Sequence, residues 1–248
     1  EAPFCFVGMT WGNKLWETEN PHDPKYRRDI LRPTLEMIAR DRNHPSVIVW
    51  SLANESLWGP AFVESAQVVE KADPTRPRTF SFLPWEVSLN KEDEPYCQIG
   101  ADHYPNEKGP AKYADHHRPI AFDEYCHINA YEKEEINADP GVREEWVRPF
   151  HRMWENIYAA PGVLGGSIWA GISDWFLIPN SKPTGCGDWG PIDGWRRTLP
   201  EHWNVKKVYS PVHITQPQLP VPPAGESLCV EVENRHDFTN LNELRIEW

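Results

Sequence analysis

The stretch Asn43–Ser56 reads NHPSVIVWSLANES. Val47, Ile48, Val49, Trp50 and Leu52 form a near-continuous apolar run with β-branched residues, the composition of a strand buried on both faces of a parallel sheet. Where the run ends, Asn54 and Glu55 follow. In parallel α/β barrels the reacting groups sit at the carboxyl ends of the strands, which makes Glu55 a catalytic candidate. The competing reading of a strand-end glutamate is a solvated loop carboxylate, so the surrounding sequence decides.

Upstream, Ile30, Leu31, Leu35, Met37 and Ile38 recur at helical spacing between Asp23 and Arg42, with Arg and Glu among them. This predicts an amphipathic helix leading into the strand. Downstream, Pro60 stands near the first turn of a second helix, whose buried stripe is Phe62, Val63, Ala66 and Val69 and which stops before Asp73 and Pro74. Two short strand candidates follow, Arg78–Phe82 and Gln98–Asp102, and the second runs into His103, Tyr104 and Pro105. Arg118–His127, RPIAFDEYCH, holds another buried strand at Ile120, Ala121 and Phe122, again ending on carboxylates, Asp123 and Glu124. Arg143–Tyr158 is predicted helical, with Trp146, Val147, Phe150, Met153, Trp154 and Ile157 on one side as core. Beyond Pro161 and Gly162, VLGGSIWAGISDW has the form of one more strand. Strands alternating with helices indicate an α/β fold.

Two of these strands finish on a glutamate, and both endings carry a resemblance. Asn43–Ser56 closely resembles the acid/base signature of glycoside hydrolase family two, the family of β-galactosidases, β-glucuronidases and β-mannosidases. The order Glu124-Tyr125-Cys126-His127 resembles the nucleophile motif of its β-galactosidase branch. The resemblance implies Glu55 as acid/base at the end of barrel strand four and Glu124 as nucleophile at the end of strand seven. It further implies that Asn54 donates to the sugar 2-hydroxyl, that Tyr104 hydrogen-bonds the nucleophile, that His103 and His127 contact the sugar, and that Trp169 floors its pocket.

By the same resemblance the opening EAPFCFVGM is the end of strand three, with further sequence of the same polypeptide expected upstream and downstream. The expected fold is α/β: the C-terminal part of a (β/α)8 TIM barrel, about strands three to eight, over residues 1–209. A Pro-rich connector follows over 210–226, and then the first strands of a β-sandwich over 227–248. Leu228–Glu233 and Leu244–Trp248 alternate as a half-buried strand pair would.

The implied reaction is retaining hydrolysis of terminal β-linked sugars, foremost β-D-galactosides, by double displacement, with carboxyl groups about 5 to 5.5 Å apart. One departure concerns metal. A Glu-x-His that holds magnesium beside the acid/base in many β-galactosidases falls here on Cys5 and Val7, and a hard cation wants oxygen ligands, so no magnesium or other cofactor is expected. Asn180-Ser181-Lys182 is similar to the Asn-x-Lys pair with which β-glucuronidases bind the sugar carboxylate, and keeps that substrate open. A carbohydrate-binding or scaffold paralogue without chemistry is the reading from another class; both carboxylates standing in intact motifs argue against it.

A net charge of -12 argues against nucleic acid or an anionic membrane surface as partner, since both need clustered Lys and Arg. No apolar run approaches the roughly 20 residues of a membrane helix. Thirteen Trp and eight Tyr lean toward a carbohydrate substrate, because flat aromatic faces pack on the C–H side of sugar rings. A homo-oligomer stays open. The five cysteines lack paired spacing and read as mostly buried free thiols. The Gly-rich stretch Gly185–Gly194 lacks the context of a nucleotide loop and is similar to the loop leaving the barrel, continuing as WRRTLPEHWNVKKVYSPV.

Overall fold

The computed structural model describes residues 2, 4–5, 7–8, 20–82, 91–127, 139, 141–187, 189–216, 218–245 and 247. Its organising feature is a ladder of parallel segments, joined in sequence order. The segment through Ala2, Phe4 and Cys5 lies beside β1 (Trp50–Ser51): Ala2 N–H donates to Ser51 O at 2.9 Å, and Asn54 N–H to Phe4 O at 2.8 Å. β1 pairs with β2 (Arg78–Thr79), and a parallel bridge between Ser56 and Phe82 extends this pairing. Ile99 N–H donates to Arg78 O at 3.2 Å, which carries the ladder on to β3 (Gly100–His103). β3 pairs with β4 (Ile120–Tyr125) and β4 with β5 (Val163–Ile168), both parallel. Six consecutive parallel segments are what the later part of a β/α barrel requires.

Helices supply the crossovers. α1 (Arg27–Asp41) precedes β1 and α2 (Pro60–Ala72) joins β1 to β2, with Pro60 at the start of α2 as the sequence predicts. α3 (Gly141–Ala159) joins β4 to β5. After β5 come an antiparallel hairpin, β6 (Asp174–Phe176) with β7 (Thr184–Gly187), then α4 (Pro200–Val208), and finally β8 (Val212–Ile214) paired antiparallel with β9 (Val232–Asn234). Among the described residues no helix is long and apolar enough to cross a membrane.

Two apolar clusters hold the ladder. The first gathers Phe4, Ile30, Met37, Ile38, Trp50, Leu52, Phe62 and Phe80 between α1, α2 and the early strands. Phe62 is fully buried, with its ring 5.0 Å from Phe80 and 5.9 Å from Phe4. The second packs Trp146, Phe150, Met153 and Ile157 of α3 against Ile120, Phe122 and Tyr125, which matches the stripe read from the sequence. Asp73, just past α2, accepts from Trp50 Nε1 at 3.0 Å and from Arg76 Nη1, while Arg76 Nε donates to Val47 O. These bonds tie the end of α2 to the start of β1.

Several expectations need correction. The run Val47–Leu52 is not buried on both faces throughout: Trp50 and Leu52 are, but Ile48 is 73% exposed, because the ladder begins only at Trp50. On α1, Leu35 faces outward and Thr34 takes the buried place, its hydroxyl donating to Ile30 O at 3.0 Å. Part of Gly185–Gly194 is strand rather than loop. A Cβ on Gly185 would lie 1.7 Å from Asp174 O, so the β6–β7 pairing requires glycine there. The stretch after it contains α4, which the sequence reading left without an element. The antiparallel pair near the end is Val212–Ile214 with Val232–Asn234, so the expected strand Leu228–Glu233 contributes only Val232 and Glu233 to it. Leu228 and Val230 are exposed outside any strand, and Ile246 and Trp248 lie outside the described residues. Among the described cysteines Cys97 alone is fully buried, Cys126 is half-buried, and Cys5 and Cys229 are exposed.

These burial differences set an expectation for stability. Phe62→Ala empties a fully enclosed position and should cost about 3–5 kcal/mol, whereas Ile48→Ser at a solvent-facing position should stay within about 0.5 kcal/mol. Urea unfolding of the complete protein, followed by tryptophan fluorescence, measures both. An equal loss in the two variants would contradict the assigned faces.

Candidate active site

Glu55 follows β1, His103 ends β3, and Asp123 and Glu124 lie in β4, so parallel pairing brings all four side chains to one end of the ladder. Register does the fine placement. His103 sits opposite Glu124, and the β3–β4 pairing slips between Asp102 and His103; a bulge of this kind re-aims side chains. Glu55 (φ 42°) and Tyr104 (φ 50°) both adopt left-handed backbone, a costly conformation for residues with a Cβ. It turns each side chain out of the alternation of its strand.

The side chains meet around one imidazole. His103 is 5% exposed, with Nδ1 3.0 Å from Asp123 Oδ1. Its Nε2 is 2.9 Å from Glu55 Oε1 and 3.4 Å from Glu124 Oε2. Those two carboxylate oxygens, measured from the same nitrogen, are therefore at most 6.3 Å apart. Despite these distances Nε2–H makes no aligned hydrogen bond with either oxygen. Burial opposes a charge on His103, but the surrounding carboxylates of Asp123, Glu124 and Glu55 override it and its pKa is pushed up from 6.5 to about 12. The ring is an imidazolium at neutral pH. A raised folded-state value means that its stabilisation is complete below about pH 6.5 and is lost as the pH climbs toward 12.

The remaining groups fix this cluster. Tyr104 Oη donates to Glu124 Oε2 at 2.5 Å, and Tyr104 N–H donates to Glu124 O at 2.9 Å. Asp123 Oδ1 also accepts from Glu124 N–H at 3.1 Å. Asp102, buried below, accepts from His103 N–H at 2.9 Å and from the Tyr113 hydroxyl at 2.7 Å. Asn54 is half-buried, and its Nδ2 lies 3.4 Å from Cys5 Sγ. An aromatic rim adjoins: ring centroids run from Tyr104 to His127 at 6.0 Å, His127 to Trp189 at 5.2 Å, and Trp189 to Trp169 at 6.1 Å. Tyr104 and Trp169 are each 38% exposed, leaving apolar faces open to a ligand.

Every site residue named from sequence thus falls in one neighbourhood. Glu55 and Glu124 both reach His103, and Tyr104 reaches His103 and Glu124; His127 and Trp169 form the rim; Asn54 precedes Glu55. His103 is set beneath the carboxylates rather than on the open face. Two residues escaped the sequence reading. Asp123, which holds the imidazole, stood in the quoted RPIAFDEYCH beside the chosen glutamate. Trp189, which bridges His127 and Trp169, stood in the Gly-rich GCGDWGPIDG, and a tryptophan amid glycines was its available signal.

Neither of the two positions aligned with the magnesium ligands suits a hard cation. Cys5 offers a thiol already beside the Asn54 amide, and Val7 is a fully buried isopropyl group. A second grouping, His151, Glu155 and His213, has ligand atoms within 4.8 Å of one another. Arg235 occupies both Glu155 oxygens there, at 2.7 and 3.0 Å, so this is an ion-pair clasp between α3 and β9. Asn180 (φ 63°), Ser181 and Lys182 lie in an exposed turn between β6 and β7.

Residues 6–214 match the profile described as glycosyl hydrolases family 2, TIM barrel domain. Among curated relatives, the β-galactosidase of Lactobacillus delbrueckii subsp. bulgaricus is 37% identical over 179 residues, covering 70% of this chain and 17% of its own length. The β-galactosidase of Aeromonas hydrophila is 26% identical over 268 residues, covering all of this chain and 24% of its own. The chain spans about a fifth to a quarter of the length of the curated relatives it matches most fully. Among solved structures, β-D-glucuronidase of Dictyoglomus thermophilum superposes with a TM-score of 0.61 at 21% identity, over 82% of this chain and 39% of that one. A β-galacturonidase from Eisenbergiella tayi bound to galacturonate gives 0.58 at 18% identity, over 75% and 37%.

Asp123→Asn should remove the principal partner of His103 Nδ1 and lower the imidazole pKa by about one to three units. The 15N shifts of histidine-labelled protein, followed against pH, measure this. A ring that titrates as in the parent would show that Asp123 does not hold the charge.

Proposed function

We infer the function from one premise: the chain belongs to glycoside hydrolase family 2. Within the complete protein it forms the active-site part of a retaining, exo-acting β-glycosidase, and the substrate is foremost a terminal β-D-galactoside. The observation that carries this reading is the pair Glu55 and Glu124, two carboxyl groups from the same end of the ladder held close around one nitrogen. Cleaving a glycosidic bond needs a proton on the leaving oxygen and relief of an oxocarbenium-like transition state, and two carboxyl groups supply both. Inverting enzymes keep them about 6.5–9.5 Å apart to admit a water, whereas retaining enzymes hold them at about 5–5.5 Å; two oxygens that share one imidazole nitrogen are compatible with the shorter spacing.

Glu124 attacks the anomeric carbon while Glu55 passes its proton to the departing oxygen, leaving a glycosyl ester on Glu124 and a carboxylate on Glu55. That carboxylate then takes a proton from water, whose oxygen displaces Glu124 and restores the resting site. Tyr104 keeps Glu124 oriented through its hydroxyl. Asn54, its amide beside the cleft, serves the sugar 2-hydroxyl, a contact that strengthens in the transition state. His127, Trp169 and Trp189 receive the apolar side of the ring. The chemistry of Cys5 and Val7 supports a site that works without the magnesium of related β-galactosidases.

The antiparallel pair β8–β9 is read as the first piece of a β-sandwich that follows the barrel part, residues 1–209; the connector expected over 210–226 itself holds β8, so the sandwich reading starts inside that range. A second substrate rests on the order Asn180-Ser181-Lys182 alone: a β-glucuronide whose carboxylate Asn180 and Lys182 would bind.

Hydrolysis of aryl β-galactoside, β-glucuronide, β-mannoside and β-glucoside by the complete protein is the test, with Glu124→Gln as control. Release from the galactoside is expected, and kcat should fall by more than about a thousandfold in the variant while the fold persists by circular dichroism. Near-parental turnover in Glu124→Gln would overturn the assignment; preference for the glucuronide would transfer the substrate to the second reading.

A further inference from the structure

Double displacement moves one negative charge. Before the first step it resides on Glu124; after that step Glu124 is esterified and the charge is on Glu55. His103 Nε2 lies between these positions, 3.4 Å from the first oxygen and 2.9 Å from the second, and its N–H is aligned with neither. A donor committed to one carboxylate would be aligned on it. One that is 5% exposed and placed between two can turn to whichever carries the charge.

We propose that His103 is a positioning residue of this reaction, a buried imidazolium that holds the two catalytic carboxyl groups at working distance and stays paired with the charge as it passes from Glu124 to Glu55. The proposal rests on the reading of Glu55 and Glu124 as the catalytic pair. The groups facing the ring are Glu55 after β1, Ser81 Oγ at 3.5 Å after β2, Asp123 and Glu124 of β4, and, on its own strand, the edge-on Tyr104 ring at 4.6 Å. Three carboxylates against one hydroxyl make the cationic form the one this pocket selects, in agreement with the raised pKa. Asp123, bound to Nδ1 and not to the cleft, anchors the ring so that Nε2 stays between the other two.

The test replaces the ring in the complete protein by a neutral side chain of similar reach, His103→Gln. Turnover of the preferred aryl glycoside should fall about a hundredfold or more, with KM changed less than about threefold. With the positive charge gone, each carboxyl group in the cleft holds its proton more tightly, so both limbs of the kcat/KM pH profile should move alkaline by about one unit. A loss confined to KM would make His103 a sugar contact, and limbs that stay in place would remove its electrostatic role; either result overturns the proposal. If the variant does not fold, neutron diffraction of the parent protein at neutral pH decides: deuterons on both Nδ1 and Nε2 are expected, and a bare Nε2 refutes the imidazolium. Retained activity in Glu124→Gln would instead strike the underlying assignment, which separates the two failures.

Discussion

Two carboxylates brought to one end of the ladder, one from after β1 and one from β4, repel one another, and in a half-buried cleft that repulsion is poorly screened. The arrangement of Glu55 and Glu124 therefore depends on a counter-charge between them, and His103 is where the fold puts it. The imidazolium is itself buried and would not keep its proton without the carboxylates. The four groups Glu55, His103, Asp123 and Glu124 are thus mutually dependent. Removing one leaves an uncompensated buried charge, which costs far more than the net worth of any pair.

Backbone strain locates the same site. Glu55, Tyr104 and Cys126 hold left-handed φ at the carboxyl ends of β1, β3 and β4, at roughly 1–3 kcal/mol each. Hydrogen bonds hold them in place. Asn54 N–H reaches Phe4 O, Tyr104 N–H reaches Glu124 O, and the Cys126 carbonyl accepts Trp146 Nε1 from α3 at 2.7 Å. The last bond links the site to the second apolar cluster, in which Trp146 stacks on the fully buried Phe150 at 4.8 Å. The parallel ladder and its helices act as a rigid frame whose stability is drawn on where each strand ends.

What could be read from sequence follows the physics of each signal. Glu55 and Glu124 were legible because an apolar run that stops on a carboxylate marks a strand emerging from a core, and the residues around them form motifs. Asp123 was not, because neighbours on a regular strand point to opposite faces, and only the shifted pairing around Phe122 and Tyr125 lets both carboxylates reach His103. Helices α1 to α3 were visible through long apolar periodicity, whereas α4 is nine residues with few buried positions and offers little pattern. The strand pair near the end was misplaced because β8 and β9 are three residues each and pair across a separation that alternation cannot encode. Leu228 and Val230 alternate as a strand would, yet among the described residues no partner strand lies beside them. Ile48 shows the reverse failure: an apolar residue inside a core-like run still faces solvent, since burial is decided by where pairing starts.

Charge also bears on the choice of sugar. With Glu55 protonated for its first step, the cluster of Glu55, His103, Asp123 and Glu124 carries one net negative charge, and buried Asp102 lies directly behind it. Such a site favours a substrate that becomes positive at the anomeric carbon and disfavours one that arrives with a carboxylate of its own. A uronate would have to bring its charge into this field, and a cation would have to be placed to meet it. Lys182 has that charge, but it sits in an exposed turn where solvent screens much of its effect. A neutral hexose needs no such partner, since in the proposed reading Asn54, His127, Trp169 and Trp189 would meet its hydroxyl groups and apolar face. On electrostatic grounds the galactoside reading is the more economical one, and the glucuronide reading requires Lys182 to be brought over the cleft and desolvated there.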